Sequence, residues 1–331
     1  MMKPKIAFYW CASCGGCEEA VVDLGEVLLA VADLVEIAFW PVALDFKRAD
    51  VEALDDGELA AAFINGAVRT SEQEQMAGLL RRKSAAVVAF GACATHGGIP
   101  GLANLYDSAD ILDTVYHQAP SLENPDAATP SENSRVAEGE LTLPAFSATV
   151  RTLGQVIDVD YYLPGCPPPP ALIGSAVTAL VNGKLPPKGA VLAPDMALCS
   201  ECPRAATKPG KLLVTQFRRP HQTLIDPELC LLAQGLACLG PATRAGCAAA
   251  CVGANMPCTG CMGPTSNVID HGAKALSAIA SLLDADSEEQ ITARVAEIAD
   301  PVGTFYRYSL PASLLHRRAR PAAREDEEVA P

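Results

Sequence analysis

The chain has 331 residues, with 25 lysines and arginines against 39 aspartates and glutamates, so its formal net charge is −14. A protein this acidic repels a phosphate backbone, which argues against a general nucleic-acid binder. No apolar run approaches the roughly 20 residues that a membrane-spanning helix needs, and the first ten residues lack the pattern of a secretory signal. We therefore expect a soluble, cytoplasmic protein of one large or two ordinary domains.

Short apolar runs alternate with amphipathic segments in the first part of the chain. The predicted strands are residues 6–10, 34–40, 61–64, 85–90 and 156–163. The predicted helices are residues 18–32, 71–83, 171–181, 273–283 and 287–299. Ser71 and Glu74 form the capping-box pattern that begins the second of these helices. Strands that alternate with helices predict an α/β fold with right-handed β–α–β units in a doubly wound parallel sheet.

The pattern also predicts how the chain divides into domains. Residues 1–184 form the α/β domain, interrupted at about 107–147 by an insertion. The central part of this insertion, 120–140, is rich in Pro, Ser, Asn and Glu and is predicted to be a surface loop. Residues 185–300 are rich in cysteine, glycine and proline and have little hydrophobic periodicity. Residues 301–331 form a C-terminal tail whose end is charged.

Thirteen cysteines are the most informative feature of the composition. A chain of this size does not need disulfides, the cytosol disfavours them, and an odd number cannot be fully paired. Metal or cluster binding is therefore the leading explanation, and metal–thiolate bonds would supply folding energy where the hydrophobic pattern is weak. By spacing, eight of the cysteines form two groups, namely Cys199, Cys202, Cys230 and Cys238, and Cys247, Cys251, Cys258 and Cys261.

Three of the predicted strands each end in a loop that carries cysteine and glycine. The cysteines of these loops are Cys11, Cys14, Cys17, Cys93 and Cys166. Because functional loops of a parallel sheet gather at the carboxyl ends of its strands, we expect the last four cysteines to converge on one site of four thiolates. Cys11 is left over, and we interpret it as a packed apolar thiol. A zinc site that uses the same four residues remains an alternative.

Taken together, the cysteine-bearing segments resemble the small subunit of NiFe hydrogenases. The matching segments are CGGCE at 14–18, GACATHGGIPG at 91–101, PGCPPPP at 164–170, CSECPR at 199–204, CLLAQGLACLGPATRAGC at 230–247 and PCTGCMGP at 257–264. The similarity points most closely to the cytosolic methyl-viologen-reducing type, which does not reduce the deazaflavin coenzyme. The periplasmic members have a histidine at the position of Cys199 and a proline at that of Cys251, so four thiolates at each site favour 4Fe–4S clusters throughout.

The resemblance implies a flavodoxin-like domain followed by an iron–sulfur domain, with three 4Fe–4S clusters. The implied ligands are Cys14, Cys17, Cys93 and Cys166 for the proximal cluster, Cys247, Cys251, Cys258 and Cys261 for the medial cluster, and Cys199, Cys202, Cys230 and Cys238 for the distal cluster. Dihydrogen would be cleaved in a partner large subunit that carries the NiFe site. Electrons would then pass through the clusters to an iron–sulfur adaptor and a flavin-containing heterodisulfide-reductase-like complex.

A few further residues are candidates for a role beside the clusters. Glu18 follows a cysteine at the start of a helix, so it is either a helix-terminal carboxylate or a proton relay at the large-subunit interface. Asp45 follows the second strand and is a candidate for the surroundings of the proximal cluster. Arg204 and Arg244 adjoin ligand segments, where their charge would raise a cluster's potential. His96 is interpreted as a hydrogen-bonding loop residue.

Three other functions remain open at this point. A deazaflavin-reducing hydrogenase would use a similar small subunit with a different flavoprotein partner. A complex-I-like subunit shares the flavodoxin-like domain, but it should carry adjacent cysteines in its first motif and a single cluster. A structural zinc protein is the alternative outside redox chemistry, and iron, zinc and acid-labile sulfide analysis would identify it.

Overall fold

A computed structural model describes residues 3–318 of the chain. Its strands are β1 (Lys5–Trp10), β2 (Glu36–Phe39), β3 (Leu59–Asn65), β4 (Val68–Thr70), β5 (Val87–Phe90), β6 (Asn133–Val136), β7 (Gly139–Thr142), β8 (Phe146–Arg151) and β9 (Tyr161–Leu163). Its α-helices are α1 (Gly16–Val22), α2 (Glu26–Leu34), α3 (Arg48–Glu52), α4 (Ser71–Lys83), α5 (Gly91–His96), α6 (Ser108–Asp113), α7 (Pro170–Val181), α8 (Ala250–Gly253), α9 (His271–Ala280), α10 (Glu288–Ala296) and α11 (Pro301–Phe305). Among these residues, no helix has the length and apolar character required to cross a membrane. Most of the charged end predicted for the tail lies outside the described residues.

Five parallel strands form the central sheet in the order β2-β1-β3-β5-β9. This order is that of a flavodoxin-like sheet, so the predicted α/β fold is confirmed. Both faces of the sheet are covered, because alternate residues of each strand enter different apolar clusters. Ile6 and Phe8 of β1 pack on one face, whereas Ala7 packs on the other. Burial on both faces explains why these strands have continuous apolar sequences.

Three predicted elements differ in detail from the observed ones. The helix predicted over residues 18–32 is divided into α1 and α2, because Gly25 has a φ of 58° that an α-helix cannot continue through. Helix α4 is capped one residue earlier than predicted, since the Thr70 hydroxyl accepts a hydrogen bond from the Gln73 amide at 3.4 Å. The last strand of the sheet covers only Tyr161–Leu163, and part of the segment before it forms a 3₁₀ turn at Leu153–Gln155.

The predicted insertion has more regular structure than its composition suggests. Helix α6 continues into a π-helical turn, β6 and β7 form an exposed hairpin, and β8 pairs antiparallel with β4. This pairing covers Arg69 of β4, whose guanidinium lies 4.1 Å from the centre of the Phe146 ring. The three guanidinium nitrogens of Arg69 are buried and have no hydrogen-bond partner among residues 3–318.

Much of the cysteine-rich part of the chain consists of loops and short 3₁₀ turns, as the sequence predicts. It nevertheless has an apolar cluster, which includes Leu198, Phe217, Leu236 and Ile279 and is completed by Phe305 of the tail. These residues are irregularly spaced along the chain, so hydrophobic periodicity does not reveal them. Apolar burial therefore contributes to the stability of this part, beside any metal–thiolate bonds.

Residues 306–318 form a C-terminal strap of turns and bends that returns to the loops of the sheet. The carbonyl oxygen of Tyr308 accepts a hydrogen bond from the Gly98 amide at 3.0 Å, and Pro311 occupies the space where a side chain at Gly97 would lie. Further along, the His316 carbonyl accepts a hydrogen bond from the Asn104 side chain at 2.9 Å. The strap therefore packs against the segment that follows Cys93.

Candidate iron–sulfur sites

The first group of cysteines lies at the edge of the sheet where β1, β5 and β9 end. Its members are Cys14, Cys17, Cys93 and Cys166. Burial raises the pKa of the Cys17 thiol, and the nearby thiols of Cys93, Cys166 and Cys14 raise it further. The amide of Ala92 donates a hydrogen bond of 2.7 Å to the carbonyl of Gly165, which ties two of the loops together. The structure thus brings four cysteines together from three separate loops.

Two glycines in these loops leave room for the sulfur atoms. A Cβ atom on Gly91 would lie 2.3 Å from the sulfur of Cys17, and a Cβ atom on Gly98 would lie 2.3 Å from the sulfur of Cys93. Both glycines have positive φ angles, of 86° and 60°, which other residues rarely adopt. The glycines therefore allow the backbone to approach the thiols as closely as a bulky metal cluster requires.

The first group is half open to the surroundings. Cys17 and Cys93 are buried, whereas Cys14 and Cys166 are exposed. The side chain of Trp10 is also partly exposed, and it lies against Gly15 in the same loop. A second protein could therefore approach this group directly from the sheet edge.

Glu18 is buried directly beside the first group and is held at both carboxylate oxygens. The indole nitrogen of Trp40 and the side-chain amide of Asn65 each donate a hydrogen bond of 2.5 Å to it. Burial raises the pKa of the Glu18 carboxyl above its ordinary value, although these two hydrogen bonds oppose the rise. No sequence motif marks Asn65, although it ends β3 and therefore lies at the same sheet edge as the cysteine loops.

Asp45 and Cys11 have different surroundings. Asp45 is exposed and forms an ion pair with Lys47, which is also exposed. Cys11 is buried in the apolar cluster that includes Ala7 and Phe39. Burial raises the pKa of its thiol to about 12, so Cys11 remains a neutral side chain.

The second group of cysteines surrounds a cavity of about 190 Å³. Its sulfur-bearing residues are Cys199, Cys202, Cys230 and Cys238. Apolar side chains such as Leu198 and Leu231 form much of the remaining wall, together with Arg204 and Lys208. Burial and the other three thiols raise the pKa of Cys199 to about 11, although the charge of Lys208 opposes the rise. Four thiols around a space free of protein atoms fit the requirements of an iron–sulfur cluster.

The third group of cysteines lies in and around α8. Its members are Cys247, Cys251, Cys258 and Cys261. Burial raises the pKa of the Cys261 thiol to about 12, and nearby Cys247 and Cys251 contribute to the rise. Cys258 lies close to Cys261 and also to Cys238 of the second group. Cys258 therefore lies at the boundary between the second and third groups.

Close contacts between cysteines connect the three groups in a row. Cys166 lies beside Cys261 and affects the pKa of its thiol, which links the first group to the third. The amide of Cys258 donates to the sulfur of Cys238 at 3.3 Å, which links the third group to the second. Over the described range 3–318, no three or more histidine, cysteine, aspartate or glutamate side chains are arranged to hold a single metal ion.

Two buried arginines join the loops that carry the second and third groups. Arg204 donates hydrogen bonds to the Val252 carbonyl at 3.0 Å and to the Asn255 side chain at 2.8 Å. Arg244 donates to the Pro264 carbonyl at 2.9 Å and forms an ion pair with Asp195. Burial lowers the pKa of Arg244, although Asp195 opposes the shift.

His96 and Tyr308 also lie between the cysteine groups. The ring of His96 occupies the space beside Gly263, and burial lowers its pKa to about 3, so the imidazole is neutral. The hydroxyl of Tyr308 is 3.2 Å from that of Thr259, in the loop between Cys258 and Cys261. The C-terminal strap therefore contacts the third group as well as the first, which the sequence pattern does not indicate.

Similarity to known proteins identifies the family of the chain. Residues 14–180 match the family described as NADH ubiquinone oxidoreductase, 20 Kd subunit. The chain is 39% identical over 322 residues to the iron-sulfur subunit of the F420-non-reducing hydrogenase of Archaeoglobus profundus, covering 96% of this chain and 99% of the relative. It is 38% identical over 319 residues to a subunit of the F420-non-reducing hydrogenase of Methanothermobacter thermautotrophicus, covering 95% and 96%.

A solved structure is similar in fold. The oxidised recombinant NiFeSe hydrogenase of Desulfovibrio vulgaris Hildenborough aligns with a TM-score of 0.50 and 19% identity, over 80% of this chain and 94% of that chain. At this identity the likeness concerns the fold alone. The two archaeal relatives, by contrast, are similar in sequence over nearly their full length. The chain therefore belongs to the family of F420-non-reducing hydrogenase small subunits and is a component of an oxidoreductase.

Proposed function

We propose that the chain is the electron-transfer small subunit of a cytoplasmic NiFe hydrogenase and binds three 4Fe–4S clusters. The first, third and second cysteine groups would hold the proximal, medial and distal clusters, in that order. Dihydrogen is oxidised in the partner large subunit, and this chain conducts the electrons to an iron–sulfur adaptor and a heterodisulfide-reductase-like flavoprotein complex.

The observation that carries this proposal is the row of contacts between the cysteine groups. Cys166 lies beside Cys261, and the amide of Cys258 donates a hydrogen bond to the sulfur of Cys238. When bound, a 4Fe–4S cluster accepts and releases single electrons at a potential set by its surroundings. The contacts order the groups from the sheet edge to the cavity of the second group. A row of adjoining thiol groups suits electron transfer better than three isolated structural zinc sites.

Backbone amides around the sulfur atoms support the same role. The backbone of Ala249 and Ala250 lies close enough to the Cys247 thiol to lower its pKa, and that of Gly260 does the same for Cys258. These backbone amides stabilise the negative charge of a thiolate and oppose the rise in pKa that burial causes. Around a bound cluster, N–H donors to sulfur raise the reduction potential. The loops would therefore adjust the reduction potential of a bound cluster as well as hold it in place.

The half-open first group supports contact with the large subunit. Its exposed members, Cys14 and Cys166, face the outside of this chain. Behind them, Glu18 is fixed by Trp40 and Asn65 in a setting that raises its pKa. We propose that Glu18 can hold a proton on a carboxylate oxygen near this interface and pass it on.

Metal and sulfide analysis of the purified complex tests the proposal. Three 4Fe–4S clusters correspond to about twelve iron atoms and about twelve sulfides in this chain. Cys93→Ala should remove about four iron atoms from the first group. Cys11→Ala is the matched control, since Cys11 is packed among apolar side chains, and it should retain all the iron. Zinc in place of iron, or equal iron loss in both variants, would refute the assignment.

A further inference from the structure

A basic segment interrupts the otherwise acidic chain. Residues 203–225, here called the basic segment, contain five of the chain's 25 lysines and arginines and none of its 39 aspartates and glutamates. The five are Arg204, Lys208, Lys211, Arg218 and Arg219. In a protein with a net charge of −14, such a run of cations is unusual, although Glu201 precedes it and Asp226 and Glu228 follow it.

This segment lies against the second cysteine group. Arg204 and Lys208 line the cavity of that group. A second cavity, of about 160 Å³, is lined by Arg218 and shares Leu232 with the first. The backbone of Arg218 is hydrogen-bonded to Gly235 at 2.8 Å, in the loop that leads to Cys238. Arg204 and Lys208 therefore adjoin the cysteine group directly, and Arg218 lines the neighbouring cavity.

The exposed cations of this segment have no acidic partner in the part of the chain that is described. Lys208, Lys211, Arg218 and Arg219 form no ion pair with any carboxylate of residues 3–318, whereas Arg204 is buried and donates to backbone carbonyls. Leu224 in the same segment is 98% exposed. Unpaired cations beside an exposed apolar side chain are typical of a surface that binds another protein.

We infer that the basic segment is a docking surface for an acidic electron-transfer protein, which receives electrons at the second cysteine group. The inference rests on the proposed function, because it takes that group to be the exit of the relay. The rest of this chain, with its excess of carboxylates, repels an acidic partner at long range. The basic segment attracts it, so that the partner is oriented toward the Cys199–Cys238 cavity before contact.

The test uses the complex of this chain with its large subunit and two protein acceptors of opposite charge. Acidic flavodoxin and basic cytochrome c are reduced with dihydrogen, and the second-order rate constants are measured against salt. Between about 0.01 M and about 0.1 M salt the Debye length falls from about 30 Å to about 10 Å. Salt weakens both the attraction of flavodoxin by the basic segment and its repulsion by the rest of the chain, so the decisive comparison is between the wild type and the charge-reversed variants at each salt concentration.

Replacing cations of the basic segment with glutamate tests whether the acidic partner docks there. The double variant Lys208→Glu/Arg218→Glu should reduce the low-salt rate with flavodoxin about tenfold. Arg82→Glu/Arg135→Glu is the control, because both residues are exposed, lie outside the basic segment and change the net charge equally. The second variant, Lys211→Glu/Arg219→Glu, changes no residue that lines the cavity. It should also reduce the low-salt rate with flavodoxin, but by a smaller factor.

The outcomes separate the inference from the proposed function. Iron is counted in every variant, so wild-type protein without clusters would refute the proposed function itself. If the iron is retained and the test and control variants slow flavodoxin equally, the docking surface is refuted. Tight binding of a labelled single-stranded oligonucleotide that is lost on charge reversal would instead identify the segment as a nucleic-acid site and overturn the inference.

Discussion

Gly91→Ala is expected to damage the first cysteine group through a single methyl group. Gly91 begins α5 with a φ of 86°, and a Cβ atom there would lie 2.3 Å from the sulfur of Cys17. The ordinary limit for such a contact is 3.4 Å. The sulfur or the backbone must therefore move by about 1 Å to relieve the overlap.

Gly183→Ala separates the effect of this contact from that of backbone strain. Gly183 has a positive φ of 62°, but a Cβ atom there would meet nothing within 4 Å. Its replacement should therefore cost only the left-handed conformation, about 1 to 2 kcal/mol. Gly91→Ala has the same conformational cost and must also displace Cys17, so we expect a total loss of about 3 kcal/mol or more.

Iron content and denaturant unfolding, measured on both variants, check this reasoning. Gly91→Ala should lose about four iron atoms per chain, because a thiolate moved by about 1 Å no longer fits the cluster geometry. Gly183→Ala should retain them and unfold at slightly lower denaturant concentration. If Gly91→Ala keeps its full iron content and is no less stable than Gly183→Ala, the close approach of glycine and sulfur is not required.

Three further predictions concern separate parts of the chain. Cys251→Pro leaves three thiolates in the third group, and we expect paramagnetic spectra to show conversion of one 4Fe–4S centre to a 3Fe–4S centre; three unchanged signals would contradict this. Arg69→Met removes a buried cation without hydrogen-bond partners and should raise Tm by about 2 °C, whereas a fall would show that the guanidinium is stabilising. Asp160→Asn should cost about 2 kcal/mol at pH 7 in denaturant titrations, because Arg81 and Lys188 lose their ionic partner. Burial raises the pKa of Asp160, but hydrogen bonds from Lys188 and Arg81 hold it below the usual 3.8, so the difference between variant and wild type should shrink as pH falls below that value.

The sheet could be predicted from sequence because its signals are local. Runs such as residues 85–90 are apolar on both faces, and each leads directly into a loop with cysteine or glycine. Strand ends then place Cys14, Cys93 and Cys166 at one edge without any knowledge of packing. The boundaries of the predicted helices and strands were less accurate. For example, Gly25 divides the helix predicted over residues 18–32, although apolar periodicity continues on both sides of it.

Long-range contacts could not be predicted in the same way. Nothing local marks Asn65 as the partner of Glu18, since the two are 47 residues apart. The stacking of Arg69 on Phe146 depends on the pairing of two strands that are far apart in the sequence, one at Val68–Thr70 and the other at Phe146–Arg151. The apolar cluster of the cysteine-rich part is likewise assembled from irregularly spaced residues, so its sequence resembles that of a region without a core.

The C-terminal strap has a consequence for biosynthesis. Asn104 and its hydrogen-bond partner His316 are 212 residues apart. At roughly 5 to 20 residues per second, roughly 10 to 40 seconds of translation separate them. During this interval the loop after Cys93 lacks its covering residues, because Tyr308 and Pro311 have not yet been made. The segment after Cys93 therefore cannot reach its final packing until the strap has been made.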